Sequence, residues 1–244
     1  MIPKIIHYVW LGGKPLSPLG MRCLASWRKH LPGWEIRRWD ETNSPMDHPF
    51  VAKMMNEGKF AFASDYIRLH VLLELGGLYL DTDMELLGDV TPLLQRPCVL
   101  TFISRQNRPS KNSAALGFLA SVVGHPWIEE LHRGYSNLRI ARMNTTLATA
   151  SLQHRGLRGL KNESPDREFW DIGDIRVYHS DFFYPSAERS PVHRILGIHH
   201  AEGSWGGQED PLPWWRRIHD LRLDRKIIRP LESMLKKMLQ KGRS

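Results

Sequence analysis

The stretch from Phe62 to Leu87, FASDYIRLHVLLELGGLYLDTDMELL, constrains the fold of this chain most. Its apolar spacing predicts a helix that runs to Leu75, and Gly76 and Gly77 are typical of the residues that end a helix. The residues after the glycines predict a strand that is also apolar. A helix and a strand that are both apolar over most of their length have to be buried, so this stretch belongs at the centre of a globular domain.

The ends of this helix and strand carry polar residues with recognisable preferences. Ser64 is expected to cap the helix at its N-terminus, with Asp65 in the first turn, where the helix dipole favours an acid. The strand is expected over Leu78–Leu86 and contains two aspartates, Asp81 and Asp83.

The rest of the chain alternates between strand-like and helix-like segments, which predicts an α/β sandwich with a mainly parallel central sheet. Strands are expected at Lys4–Gly12, Glu35–Asp40, from Cys98 onward, at Val177–Pro185 and at Ile195–Trp205, and helices from Ser17 to Pro32, at Phe50–Glu57 and over residues 113–135 around a break at Gly124–Pro126. We expect one domain over residues 1–217 and a helical tail over residues 218–244.

Asp81 and Asp83 are expected near the carboxyl end of their strand, which is where open α/β sheets bind ligands. Residues two apart on a strand point the same way, so both carboxylates should reach one crevice. Such hard oxygen ligands suit Mg²⁺ or Mn²⁺, and an ion held by one or two carboxylates usually completes its coordination with substrate phosphates and water. The alternative is a pair of solvated acids in a turn.

Composition excludes several classes of protein. Two cysteines are too few for a disulfide framework and suit a reducing compartment. The first residues lack the pattern of a secretion signal, so a cytoplasmic location is expected. Residues 221–244 carry eight of the 34 lysines and arginines and two of the 26 acids, so the tail holds +6 of the net charge of +8. The nearly neutral remainder argues against a nucleic-acid partner.

Three blocks, IPKIIHYVWLGG, FASDYIRLHVLLELGGLYLDTDMEL and IHHAEGSW, resemble the enzymes of glycosyltransferase family 32. This family includes bacterial capsular-polysaccharide transferases, fungal mannosyltransferases and the catalytic domains of clostridial glucosylating toxins. The resemblance covers roughly residues 1–207. It implies a GT-A fold, a Rossmann-like sandwich that binds a nucleotide sugar and Mn²⁺ or Mg²⁺.

The resemblance also assigns roles to individual residues. It implies that Asp83 binds the metal directly, and that Asp81 contacts the ribose and the metal site. It implies that Asp65 and Arg68 hold the hydroxyls of the donor sugar. Their spacing places them on one helix face, where the alternative is an ordinary ion pair within the helix.

Further donor contacts follow from the same resemblance. Trp10 matches a position that stacks on the nucleobase, and the alternative is a core tryptophan at a strand end. Ser64 is expected to reach the nucleoside, and Tyr79 to line the sugar pocket or to pack. Gly77 belongs to the same predicted donor-binding set.

The last block is expected to close the site. His199 and His200 are candidate metal ligands, but neighbours on a strand point opposite ways, so at most one should face the metal. The sequence leaves open which one. Ser204 and Trp205 are expected to contact the diphosphate.

The implied reaction transfers a hexose from a nucleotide sugar to a hydroxyl of a glycan or lipid-linked saccharide in bacterial surface polysaccharide synthesis, with retention of anomeric configuration. A UDP-sugar is the first candidate for the donor, and the fungal members of the family leave GDP-mannose as an alternative. Retention can follow a same-face displacement, which the resemblance favours, or a double displacement through a carboxylate. The alternatives are an effector-type transferase with a protein acceptor and a metal-dependent hydrolase of nucleotide diphosphate sugars.

The tail has apolar residues at helical spacing from Leu231, with basic residues on much of the other face. A cationic amphipathic helix suits an anionic membrane surface, which predicts a peripheral position on the inner face of the plasma membrane. The alternative is a helix packed on the domain.

Overall fold

The computed structural model describes residues 1–103, 113–136, 144–157, 167–185, 191 and 194–201. The predicted diphosphate contacts Ser204 and Trp205 and the predicted tail over residues 218–244 lie outside these residues.

A seven-stranded sheet forms the centre of the molecule, with the strand order β2-β1-β3-β6-β5-β8-β7, and a separate two-stranded sheet pairs β4 with β9. The strands are β1 (Ile5–Val9), β2 (Glu35–Trp39), β3 (Gly77–Leu80), β4 (Met84–Leu86), β5 (Cys98–Ile103), β6 (Ser113–Ser121), β7 (Phe169–Ile172), β8 (Ile175–Tyr178) and β9 (Gly197–His199). In the large sheet β1, β2, β3, β5 and β8 run in one direction, while β6 and β7 run against them. The predicted α/β sandwich with a mainly parallel sheet is confirmed.

Helices cover both faces of this sheet. They are α1 (Pro18–His30), α2 (Pro49–Asn56), α3 (Phe60–Leu75), α4 (Pro126–Ser136) and α5 (Asn144–His154). Helices α2 to α5 pack in one core cluster with Tyr79 of β3, and α1 packs in the other with Leu78 and Leu80. Successive side chains of β3 therefore enter opposite layers, as the two-residue period of a strand requires. A strand buried on both faces explains why its sequence is almost wholly apolar.

Two expected helix boundaries fit the structure closely. Helix α1 begins after Ser17, whose side chain accepts a hydrogen bond of 3.0 Å from the backbone of Gly20, and it ends two residues before Pro32. Helix α3 ends at Leu75, and Gly76 follows with φ of 61°, a conformation in which a residue without a Cβ is favoured.

The expected start of α3 at Ser64 is wrong. The helix begins at Phe60, and the Ser64 hydroxyl donates a hydrogen bond of 2.8 Å to the carbonyl of Ala61 in the preceding turn. Asp65 therefore lies in the second turn, away from the exposed N–H groups of the helix start. The apolar residues before Ser64 continue the buried face of the helix, so packing outweighs the capping preference of serine.

The expected helix over residues 113–123 is also wrong, because these residues form strand β6, which lies between β3 and β5. The segment is rich in alanine and leucine, which favour helices in isolation. Burial at the centre of the sheet overrides this preference. The break at Gly124–Pro126 and the helix after it are present, as α4 begins at Pro126.

The strand expected over Leu78–Leu86 is divided into β3 and β4. The backbone N–H of Met84 donates to the carbonyl of Asp81 at 2.9 Å, which closes a turn across Thr82 and Asp83. The two aspartates therefore lie in a turn between two sheets, at the carboxyl end of β3.

Candidate active site

Strand β6 allows Asp81 to lie close to the main sheet. The backbone N–H of Asp81 donates to the carbonyl of Gly117 at 2.9 Å, so the pairing of β3 with β6 continues to the first aspartate. A Cβ placed on Gly117 would lie 2.5 Å from Oδ2 of Asp81 and 3.5 Å from Nε2 of His199. Glycine at this position leaves the space that the Asp81 carboxylate and the imidazole border.

Asp81, Asp83 and His199 converge at this edge. The Nε2 atom of His199 lies 3.2 Å from Oδ1 of Asp83 and 3.5 Å from Oδ2 of Asp81. One ligand atom from each of the three side chains lies within 4.8 Å of the others, and among the described residues no other group of three or more acidic, histidine or cysteine side chains is so arranged. The set can hold a divalent metal ion.

The other oxygen of Asp81 belongs to a second network. Its Oδ1 atom accepts a hydrogen bond of 3.0 Å from the hydroxyl of Tyr79 and lies 3.2 Å from Nη2 of Arg68. The same Nη2 lies 3.0 Å from Oδ1 of Asp65, and Nη1 donates to the carbonyl of Leu116 at 2.9 Å. The guanidinium also lies over the Tyr79 ring, 4.5 Å from its centroid. Arg68 thus joins Asp65 on α3 to the metal-site candidate Asp81.

Arg68 is 6 % exposed, and its Nε atom has no hydrogen-bond partner among the described residues. Asp65 and Asp81 flank its positive charge. Burial lowers the pKa of Arg68, but the charge of Asp81 and of other neighbours outweighs this, so the guanidinium remains charged.

Burial alone would raise the pKa of Asp81, but the charge of Arg68 and the hydrogen bond to His199 outweigh it and hold the pKa well below the usual range. Burial likewise opposes protonation of His199, yet the charge of Asp83 leads the effects that raise its pKa well above the ordinary value. Without a metal the site therefore pairs an imidazolium with two carboxylates. A metal ion that binds Nε2 must displace a proton.

Residues 18–100 match the family model described as "Glycosyltransferase sugar-binding region containing DXD motif", about one third of the 244 residues. This region holds α1, α3 and both aspartates. It supports a DXD-type glycosyltransferase. No curated protein sequence matches the chain.

Among solved structures, the chain is similar to the PaToxG glycosyltransferase, with 18 % identity and a TM-score of 0.48 over 64 % of this chain and 70 % of that one. It is also similar to a mutant transferase, with 9 % identity and a TM-score of 0.42 over 63 % of this chain and 87 % of that one. Both scores are below 0.5, so the description of the fold rests on the strand order and directions given above.

The two adjacent histidines have different partners, as the strand pattern predicts. His199 contacts the two aspartates, whereas Nε2 of His200 lies 2.7 Å from Oε2 of Glu85 on β4. Of the two predicted metal ligands, the structure brings only His199 to Asp81 and Asp83.

The predicted donor contacts lie at different depths. Trp10 is 5 % exposed, packs in the core cluster on the α1 side, and donates through Nε1 to the carbonyl of Lys14 at 2.6 Å. Ser64 is buried within α3, and Gly77 has φ of 108° with the carbonyl of Ile5 only 2.7 Å from the position of an added Cβ. Their contacts with a nucleotide sugar stay predictions. Tyr79 is 2 % exposed and holds Asp81 through its hydroxyl.

Three residues that border the site are not predicted from the sequence: Gly117, Leu116 and Tyr184. The ring centroid of Tyr184 lies 5.2 Å from that of His199. A glycine inside a strand often marks a close approach of another group, but Gly117 carries this signal only when residues 113–121 are assigned to a strand, and the sequence predicts a helix there. The carbonyl of Leu116 has no signature in sequence, because any residue supplies one.

Among the described residues, no helix has both the length and the apolar character needed to cross a membrane.

Proposed function

We propose that the protein is a metal-dependent, retaining glycosyltransferase that moves a hexose from a nucleotide sugar, with a UDP-sugar as the first candidate, to a hydroxyl of a glycan or lipid-linked saccharide. The observation that carries this proposal is the convergence of Asp81, Asp83 and His199 at the carboxyl end of β3, next to the ion pair of half-buried Asp65 with buried Arg68. The match to the DXD sugar-binding region supports the same reaction class.

The chemistry of the three ligand groups fits Mn²⁺. Two carboxylates suit Mg²⁺ and Mn²⁺ alike, while an imidazole nitrogen is a ligand that transition metals accept more readily than Mg²⁺. The space beside Gly117, which a Cβ would fill, fits the same ion. Asp81, Asp83 and His199 would hold it. When bound, such an ion neutralises the diphosphate and makes the nucleotide a better leaving group.

The residues of the chain would orient the donor on either side of Asp81. Asp65 offers carboxylate oxygens to sugar hydroxyls, and Arg68 offers a guanidinium whose Nε–H is unused among the described residues. Because Arg68 also contacts Asp81, a displacement of Asp65 and Arg68 would change the position of the Asp81 carboxylate at the metal site. Burial strengthens these charge interactions by excluding water.

Retention is part of the proposal, and the same-face route is favoured. In that route the leaving phosphate oxygen accepts the proton of the acceptor hydroxyl while the new glycosidic bond forms on the face from which the nucleotide departs. The protein then needs no nucleophile of its own, only groups that hold the donor and exclude water.

The test is turnover of a panel of UDP- and GDP-sugars without acceptor, with and without Mn²⁺, in the wild type, Asp83→Asn and the control Asp47→Asn. Asp83→Asn keeps the size of the side chain and removes its charge, whereas Asp47 is exposed and outside the site. We expect Mn²⁺-dependent release of one nucleotide from one donor, lost in Asp83→Asn and kept in Asp47→Asn. Full activity of Asp83→Asn with saturating Mn²⁺ would refute the proposal.

Acceptors separate the remaining alternatives. With the donor known, transfer to saccharide acceptors, with the anomeric configuration followed by NMR, supports the proposed reaction. Transfer only to protein acceptors would identify an effector-type enzyme. Release of free sugar that no acceptor suppresses would identify a hydrolase.

The tail is proposed to bind an anionic membrane surface, supported by its net charge and helical apolar spacing. Flotation with liposomes of anionic lipid compares the wild type with a full-length variant in which Lys236, Lys237 and Lys241 are changed to glutamine. We expect the variant to be recovered less in the lipid layer. Equal recovery of both proteins would discard the membrane role.

A further inference from the structure

We propose that Glu85 and His200 are positioning residues, whose contact fixes β9 against β4 so that His199 is delivered to Asp81 and Asp83. This inference rests on the proposed metal site and goes beyond it by assigning a task to two residues that do not join the ligand set. The Nε2 atom of His200 lies 2.7 Å from Oε2 of Glu85, and their side chains are only 14 % and 18 % exposed.

The pairing of β4 with β9 is too short to be stable alone. Each strand has three residues, in the register Met84 with His199 and Leu86 with Gly197. Two-stranded sheets of this size need further support. A register slip of one residue would exchange His199 for a neighbour at the metal edge, because successive side chains point to opposite faces.

Each of the two strands also has hydrogen-bond partners on the edge that faces away from the other strand. On the edge of β4 that faces away from β9, side chains of helix α1 form hydrogen bonds with the β4 backbone. The indole N–H of Trp27 donates to the carbonyl of Met84 at 2.6 Å, and the Ser26 hydroxyl accepts from the N–H of Leu86 at 2.9 Å. Strand β4 is therefore held on both edges by hydrogen bonds.

Strand β9 leans on the residues after β8, where the N–H of His199 donates to the carbonyl of Phe183 at 2.9 Å. In addition to the antiparallel ladder with β4, backbone bonds flank the pairing at both ends, from the N–H of Leu87 to the carbonyl of Leu196 at 2.8 Å and from the N–H of His200 to the carbonyl of Asp83 at 3.0 Å. The Glu85–His200 contact adds a side-chain bond between β4 and the residue that directly follows β9.

Arg22 provides a built-in comparison. Its Nη2 lies 3.5 Å from the same Oε2 of Glu85, but its side chain is 53 % exposed. An exposed partner at this distance contributes little to position. His200, and not Arg22, is therefore the partner that positions Glu85.

The test measures Mn²⁺ affinity by electron paramagnetic resonance in Glu85→Gln, His200→Gln, the double variant and the control Arg22→Gln. Amide hydrogen exchange of the same proteins is measured without metal. We expect each single variant to bind Mn²⁺ about 10-fold to 100-fold more weakly, as when outer-shell partners of metal ligands are removed. The double variant should be no more than about twofold weaker than the worse single variant, and Arg22→Gln should stay within about twofold of the wild type.

Hydrogen exchange without metal tests the Glu85–His200 contact independently of any enzymatic activity. The amides of Leu87 and His200 should exchange faster in both single variants and stay protected in Arg22→Gln. Should Glu85→Gln fail to fold, Glu85→Asp retains the charge and shortens the side chain, and the same losses are expected from it.

Weaker Mn²⁺ binding in His200→Gln but not in Glu85→Gln would overturn the inference, since His200 would then act as a ligand itself. Unchanged exchange in both single variants would overturn it too. If the wild type bound neither Mn²⁺ nor a nucleotide sugar, the proposed function would fail instead, and the exchange result would judge the positioning contact alone.

Discussion

His7 should make the stability of this protein depend on pH in a way that one substitution can isolate. The side chain lies on β1 behind the turn between α3 and β3 and is fully buried. Its Nε2 contacts the carbonyl of Gly76 at 2.8 Å, and its Nδ1 accepts a hydrogen bond of 3.0 Å from the indole N–H of Trp39. Both bonds are made only by the neutral imidazole with its proton on Nε2, because protonated Nδ1 cannot accept.

Burial therefore lowers the pKa of His7 from 6.5 to about 4. Above pH 6.5 the residue is neutral in the folded and unfolded chains, and its contribution to stability is fully present. As the pH falls from 6.5 to 4, only the unfolded chain takes up a proton, so stability is lost. The shift corresponds to about 3 kcal/mol in full, and to about 2 kcal/mol between pH 7.5 and pH 5.

The assay is urea unfolding of the wild type and His7→Gln at pH 7.5 and pH 5. Glutamine can donate and accept hydrogen bonds but does not titrate, so the difference between the two proteins removes contributions from other groups. Several other histidines also have lowered pKa values, and the wild type alone would mix their effects: His30, His48, His70, His125 and His132. We expect the stability advantage of the wild type over His7→Gln to shrink by about 2 kcal/mol at pH 5. A difference that stays constant within about 0.5 kcal/mol would refute the assignment of a buried neutral imidazole.

Three further outcomes are expected. Gly117→Ala should weaken Mn²⁺ binding at least about tenfold, because its Cβ would lie 2.5 Å from Oδ2 of Asp81. The control Gly134→Ala, with no atom within 4 Å of its Cβ, should bind Mn²⁺ as the wild type does. Equal Mn²⁺ affinity of the two variants would contradict this steric explanation. Tyr79→Phe should lower the free energy of unfolding by about 1 kcal/mol in urea titration and also weaken Mn²⁺ binding, since Asp81 loses one donor; wild-type values of both would count against the network. Ala201, with φ of 52°, should tolerate glycine within about 0.5 kcal/mol in thermal unfolding but lose about 1 to 2 kcal/mol as valine, and a well-tolerated valine would argue against this backbone conformation.

The sequence predicts those parts of the site whose signal is local. The apolar segment, the two glycines and the aspartates two residues apart lie within one stretch, and the structure keeps them together at a sheet edge. The local sequence also predicts that only one of the two adjacent histidines faces the aspartates. Which one does so depends on the register of β9 with β4, and neither histidine alone indicates this long-range pairing.

The errors have the same origin. The helix expected over residues 113–135 is wrong for residues 113–121: alanine and leucine favour a helix in isolation, and only the position of this segment between β3 and β5 makes it a strand. Serine favours the N-cap position, which predicts a helix start at Ser64, whereas the helix begins at Phe60 and buries a further apolar turn. In both cases the preference of a few residues competes with the burial of a larger surface, and the larger surface decides.

The candidate site has a consequence for the biosynthesis of the protein. Glu85 and His200 are 115 residues apart in sequence, and His199 reaches the aspartates only when β9 pairs with β4. A chain still on the ribosome, with Asp81 and Asp83 already emerged, would have two of the three ligand groups and no imidazole between them. The complete candidate ligand set therefore forms only after β9 has emerged and has paired with β4, long after both aspartates have been made.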